Sequence, residues 1–178
     1  MYKEIIAFWF EELEPKQWWQ KDDQLDQLIQ SRFAQLHTQA KAGELYTWRE
    51  NAVGSLAEVI ILDQFSRNIY RNKPESFASD PMALALAQVA IAKNFDAKLS
   101  AVQRSFLYMP FMHSESEKIH QQAVTLFQSL GNESSLEFEL KHKVIIDRFG
   151  RYPHRNQILA RKSSAQELAF LEQPNSAF

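Results

Sequence analysis

Apolar positions recur along the chain at intervals of three and four, and helix-starting and helix-stopping residues sit between the runs. Tyr2 to Glu12 carries Ile5, Ile6 and Trp9 at helical spacing, with Leu13 beyond, before Pro15 breaks it; Trp18 and Trp19 lie in the connector. Asp22 or Asp23 can cap a long amphipathic helix with the stripe Leu25, Leu28 or Ile29, Phe33 and Leu36, closed by Gly43. Ala52 to Arg67 is apolar nearly all round, as a central helix should be. Ser79 or Asp80 caps the next helix, with Pro81 in the first turn, and Ser100 begins a shorter one that Pro110 should stop or kink. Ser114 and Glu117 read as a capping box ahead of a helix that Gly131 closes. Leu136 to Phe149 is again strongly apolar and ends at Gly150 and Pro153; Ser164 to Glu172 is the last helix, and about 173–178 is a tail. No segment reads as a strand. The expectation is an all-α single domain over residues 1–178, with seven to eight antiparallel helices and the two apolar helices in the middle.

Composition narrows the chemistry. With 178 residues and 45% hydrophobic content, the chain can bury a core without a disulfide or a metal. Four glycines are too few for a turn-rich sandwich and leave no phosphate-cradling glycine loop. Twenty basic against twenty-two acidic residues give a charge of −2, with no field for nucleic acid. The absence of cysteine removes thiolate nucleophiles, cysteine zinc sites and iron–sulfur clusters, and suits the cytoplasm. The opening Met1-Tyr2-Lys3-Glu4 is unlike a signal peptide, and uncharged runs such as Pro81 to Ala92 are too short to span a bilayer. A cytoplasmic protein is expected, with neither nucleic acid nor membrane as partner and no cofactor.

Two stretches share the pattern D-x-F-x-R-x-x-x-R-N, each after an apolar helix. The first holds Asp63, Phe65, Arg67, Arg71 and Asn72, with Asn68 inside it; the second holds Asp147, Phe149, Arg151, Arg155 and Asn156. A five-in-ten match arises by chance about once in a chain this long, so identity alone does not establish a duplication. Asp63 with Arg67, and Asp147 with Arg151, have the spacing of helix-surface ion pairs, and arginine suits the negative end of a helix. The alternative is that Arg67, Arg71, Arg151 and Arg155 converge on an anion, for which the guanidinium fork is well shaped.

Polar residues on faces that should be dry form a second set of candidates. Glu58 shares a stripe with Gly54, Ile61, Leu62 and Phe65, and must be paired with an arginine or a histidine such as His142, or else protonated. His142 shares the stripe of Phe138, Ile145 and Phe149. Either can be a satisfied core contact that sets helix register, or part of a proton-transfer site. His113, Ser114 and Glu115 would sit at a helix entrance, and His154 lies in the second arginine stretch. Glu117 to His120 and Glu139 to His142 both spell E-x-x-H, the element of di-metal carboxylate bundles, but no clear second partner carboxylate accompanies Glu58. The tryptophans at 9, 18, 19 and 48 fill gaps between short helices or line a groove.

The ordered blocks Phe8-Trp9-Phe10, Trp19, Gly43-Glu44 with Trp48, Leu62 to Asn68 with Arg71, Phe106 to Glu115, and Arg148 to Arg151 with Pro153 to Asn156 resemble a bacterial family, domain of unknown function 924. Phe170-Leu171 and the terminal Phe178 extend the resemblance over nearly the whole chain. It implies a tetratricopeptide-like helical fold and brings no established activity. The chain departs from that family at Leu159-Ala160-Arg161, where the middle residue is usually glycine, and at Asp147, where an uncharged or basic residue is more familiar.

Two functions are expected. In the first, a small hydrolase-like enzyme acts on a phosphate- or carboxylate-bearing metabolite. Arg67, Asn68, Arg71, Glu115, Arg151, Arg155 and Asn156 shape the ligand site, His113, His142 or His154 moves protons, and Glu58 or Asp63 orients one of them. In the second, a noncatalytic tetratricopeptide-like module binds an acidic peptide or chain terminus. A di-metal carboxylate protein is a minor third alternative.

Overall fold

The computed structural model describes residues 1–174 and 176, so Phe178 and half of the expected tail lie outside the described residues. The described residues form helices and turns with no strand, and none of the helices is long and apolar enough to cross a membrane. The chain packs as two compact units, one of Met1–Arg71 with Glu75–Pro110, the other of Asn72–Pro74 with Phe111–Phe178.

The first unit begins with α1 (Tyr2–Ala7), which widens into a π-helical turn over Phe8–Glu12. In α2 (Asp23–Lys41) the Asp22 carboxylate accepts from the backbone N–H groups of Gln24 and Leu25 at 2.8 and 3.2 Å, as an N-cap should. Its buried stripe is Leu25, Ile29, Phe33, His37 and Ala40, so Leu28 is left outside and a histidine enters the stripe. The expected central helix is α3 (Ala52–Ile60), a π-helical turn over Ile61–Phe65, and α4 (Ser66–Ile69). Gly54 lets α3 press against the preceding turn, because a Cβ there would meet the Trp48 carbonyl oxygen at 2.2 Å. α5 (Asp80–Ala92) packs on α3, and α6 (Ala101–Met112) carries Pro110 inside it, ending at Met112 just beyond the proline. The core is aromatic: Phe8, Trp9, Phe33, Phe65 and Phe106 form tilted, stacked and edge-on pairs with ring centroids 5.0–6.0 Å apart.

The second unit is built on α7 (Glu117–Ser129) packed against α8 (Glu133–Phe149), followed by a 3-10 turn at Pro153–Arg155 and α9 (Ala165–Leu171). Gly150, with φ 67°, ends α8 and returns its N–H to the Ile146 carbonyl. The capping box expected from Ser114 and Glu117 does not form. Ser116 is the residue before α7, without a side-chain cap bond, because the preceding segment is committed elsewhere: the Ser114 carbonyl faces His120 and the Glu115 carboxylate is taken by Arg161 and Tyr152. A capping box forms instead between Ser164 and Glu167 at α9.

Candidate functional site

In the first unit the expected site residues are locked into ion pairs. Glu58 is completely buried and accepts both Nε–H and Nη2–H of Arg49, at 2.7 and 2.6 Å. Its partner is therefore an arginine, supplied by the turn at Tyr46–Glu50. Arg67 grips Asp80 with two bonds of 2.9 and 3.0 Å and lies 3.2 Å from the buried Asp63. Asn68 and Arg71 share Asp26, at 2.8 Å from Asn68 Nδ2 and 2.7 Å from Arg71 Nη2. The candidates Glu58, Asp63, Arg67, Asn68 and Arg71 are thus held in charge-assisted hydrogen bonds and ion pairs with Arg49, Asp80 and Asp26.

The second unit gathers titratable groups of another kind. Tyr152 is completely buried, with the rings of His142, His154 and His120 at 5.7, 5.5 and 6.3 Å from its own. His113 lies near the same cluster, close enough for a charge on its ring to be felt by His142. Arg155 lies over the Tyr152 ring at 4.6 Å. Three of the chain's five histidine rings therefore lie against one tyrosine, with His113 close to one of them.

The segment that presents His113 is held at every step. The Tyr152 hydroxyl donates to the Met112 carbonyl at 2.5 Å, Arg155 Nη2 donates to the His113 carbonyl at 3.1 Å, and His120 Nε2 donates to the Ser114 carbonyl at 2.8 Å. Glu115 then accepts the Tyr152 backbone N–H at 2.7 Å and both Nη groups of Arg161 at 2.6 and 2.9 Å. Three consecutive carbonyls and the next carboxylate are gripped by four different side chains and one backbone N–H. Such a segment cannot drift by an ångström without losing several bonds.

Burial and hydrogen bonding set the protonation states. His142 Nδ1 lies 2.7 Å from the Phe138 carbonyl, so Nδ1 carries the proton and Nε2 the lone pair. Burial above all, helped by the neighbouring histidines, pushes its pKa down to about 3 against the pull of that carbonyl. Phe138, placed on the same stripe by periodicity, is 49% exposed, so the dry part of the stripe is Ile145 and its neighbours. Burial alone would raise the Glu115 pKa, but the Arg161 bonds, the Tyr152 N–H and the charge of Arg155 outweigh it and hold the group below the usual range. Arg151 pairs with Glu167 through bonds of 2.6 and 2.8 Å, and this pairing lowers the Glu167 pKa strongly. Asn156 donates to Ser163 and Glu167 and accepts from Arg161 Nε. Beside the cluster lies an open depression of about 540 Å³ lined by Pro153, His154, Gln157, Arg161, Ser163, Leu168 and Leu171. His154 belongs to both the depression and the cluster.

Of the expected residues, the second unit brings together His113, Glu115, His142, His154 and Arg155, and ties Arg151 and Asn156 to them through Glu167 and Arg161. Sequence reasoning did not single out Tyr152 or Arg161, and it weighed Glu139 and His120 only as parts of the E-x-x-H pairs. A signal for two of them was present: His120 shares the buried α7 stripe with Ala123 and Phe127, and Glu139 shares that of His142 and Ile146. Glu117 is exposed while Glu139 faces His120 at 2.7 Å, and among the described residues no three histidine, aspartate or glutamate side chains are arranged to hold a metal ion.

No curated protein matches the chain. A solved structure of a protein of unknown function, ATU0120 from Agrobacterium tumefaciens, is similar to it with a TM-score of 0.92 and 37% identity, covering 96% of each chain. The profile of a family described as bacterial protein of unknown function, DUF924, matches residues 5–175. With that match over nearly its full length and the same all-helical fold, the chain belongs to the DUF924 family.

Proposed function

We propose that the second unit carries an acid–base site for a small anionic molecule, and that the protein is a hydrolase-like cytoplasmic enzyme. The observation that carries this reading is the gathering of His113, His120, His142 and His154 around Tyr152, beside Arg155 and an open depression. Imidazoles are the side chains best suited to moving protons near neutrality, and a core built for stability alone has no use for four of them. An entering molecule meets His154 first, at the depression. Arg155 brings positive charge to the cluster. His142 presents Nε2 as its basic nitrogen, and an anion beside it would favour the protonated ring, so a bound substrate turns a weak base into a competent one. Of the four arginines expected to hold the anion, Arg67, Arg71 and Arg151 pair with Asp80, Asp26 and Glu167, while Arg155 lies over the Tyr152 ring inside the histidine cluster.

The test is a panel of chromogenic phosphate and carboxylate esters at pH 7, followed by NMR of the histidine rings on adding inorganic phosphate or acetate. Turnover by the wild type should fall roughly 100-fold in His142→Asn and in His154→Asn. Lack of turnover across the panel, with histidine signals unmoved by either anion, would overturn the reading.

A further inference from the structure

We infer that Glu139 and His120 form an uncharged pair, with the shared proton on Glu139, and that this pair positions the His113 segment. The protonation state stands on its own geometry; only the importance of His113 rests on the function proposed above.

Both side chains are completely buried, on facing stripes of α7 and α8. His120 Nε2 looks at the Ser114 carbonyl at 2.8 Å and the Tyr152 hydroxyl at 3.1 Å. A carbonyl only accepts, so Nε2 carries a proton. The Tyr152 hydroxyl gives its own proton to the Met112 carbonyl, so its oxygen can accept from the same Nε2–H. On the other side of the ring, Nδ1 lies 2.7 Å from Glu139 Oε1. Two arrangements satisfy that contact. In one, Nδ1–H donates to a carboxylate and both residues are charged; in the other, a carboxyl O–H donates to Nδ1 and both are neutral.

The second oxygen decides between them. Glu139 Oε2 is buried without a hydrogen-bond partner. A carboxylate spreads its charge over both oxygens, and a bare charged oxygen in a dry interior is far more costly than a bare carbonyl of a neutral acid. Burial accordingly raises the Glu139 pKa, outweighing the pull of His120 and Lys143 toward the charged form. Lys143 is itself drawn to Asp147, at 2.6 Å on the solvent side. The other titratable groups near the pair are Tyr152 and His142. His142 is neutral, and a positive His120 would repel any proton that a substrate induces it to accept. A neutral pair grips the Ser114 carbonyl without adding charge to the site.

The experiment is ¹⁵N NMR of the imidazoles in the full chain at pH 7, with Glu139→Gln and Glu139→Leu as variants. In the wild type, His120 should carry a proton on Nε2 and none on Nδ1. A glutamine amide can still donate to Nδ1, so Glu139→Gln should keep that tautomer and the His113 titration midpoint. Glu139→Leu removes the donor, frees His120 to turn, and should move the His113 midpoint by about half a pH unit or more. A proton on His120 Nδ1 in the wild type would overturn the inference, as would a shift of His113 in Glu139→Gln as large as in Glu139→Leu. If Glu139→Leu does not fold, the wild-type tautomer and the glutamine variant still decide. A neutral pair in a protein that hydrolyses none of the esters and whose histidine signals neither anion moves would sink the proposed function and leave this inference standing.

Discussion

The two D-x-F-x-R-x-x-x-R-N stretches spell the same pattern and do different things. In the first, Asp63 and Phe65 are completely buried on a π-helical turn, Arg67 reaches Asp63 and Asp80, and Arg71 reaches Asp26. In the second, Asp147 is exposed and pairs with Lys143, Phe149 is half-buried, Arg151 reaches forward to Glu167, and Arg155 lies on Tyr152. The i,i+4 pair that both spacings permit is seen only in the first. Spacing makes a contact possible; which partner wins depends on the acids that other segments deliver and on how dry the place is. The first stretch meets aspartates and becomes a clamp of fixed charges. The second leads into a cluster of histidines around a buried tyrosine.

Mutation of the two stretches should break the apparent equivalence. Arg67→Ala leaves the buried Asp63 and the nearly buried Asp80 without their shared cation, and should cost roughly 3–5 kcal/mol in urea unfolding. Asp147→Ala, at the matching position of Asp63, should cost only about 0.3–0.5 kcal/mol, because it removes a helix-surface pair. Similar costs for the two would mean that the stretches are equivalent after all.

Acid should sharpen the contrast. Each stretch has a buried neutral histidine beside it: His37, bonded to Ser66 at 2.8 Å and lowered to about 4 by burial and then by the charge of Lys41, and His142, lowered to about 3. A histidine whose pKa is depressed on folding contributes stability above its unfolded value, and that stability is lost as pH falls through the folded value. Stability should therefore be flat above about pH 6.5 and then fall by up to about 1.4 kcal/mol per pH unit for each histidine. The His37 contribution should level off near pH 4, and that of His142 should continue toward about pH 3. Urea midpoints between pH 8 and 4 for the wild type, His37→Gln and His142→Gln would separate the two; an unchanged slope in His142→Gln would contradict the neutral assignment.

A small effect of opposite sign is expected just beyond the second stretch. Ala160 has φ 52°, in the left-handed region, where the chain turns so that the Arg161 N–H meets the Asn156 carbonyl at 2.8 Å. Ala160→Gly should relieve backbone strain and raise stability by about 0.5–1 kcal/mol, part of the relief being offset by the entropy glycine gains when unfolded. Thermal unfolding would measure it, and a loss of stability would show that the Ala160 methyl group contributes packing.

Much of the candidate site could be read from polar residues in apolar places. Glu58 and His142 were legible because each interrupts a dry stripe, and His113, Glu115 and His154 because they stand near helix breaks. Tyr152 was not legible: an aromatic residue beside a proline looks like ordinary core until three carbonyl- and histidine-bearing segments are folded around it. Glu139 and His120 sit on different helices, and a proton shared across helices leaves no trace in either helix's own periodicity.

Helix type and extent follow largely from interactions within a few residues, which is why the all-α class, an aspartate cap at Asp22 or Asp23, the buried α3 and the Gly150 stop could be derived from the chain alone. The pairing of arginines with acids, the gathering of histidines around Tyr152 and the grip on three consecutive carbonyls join residues many positions apart. Several partners were within reach of each such group, and only the packed fold, by deciding which of them is near and which is dry, selected one.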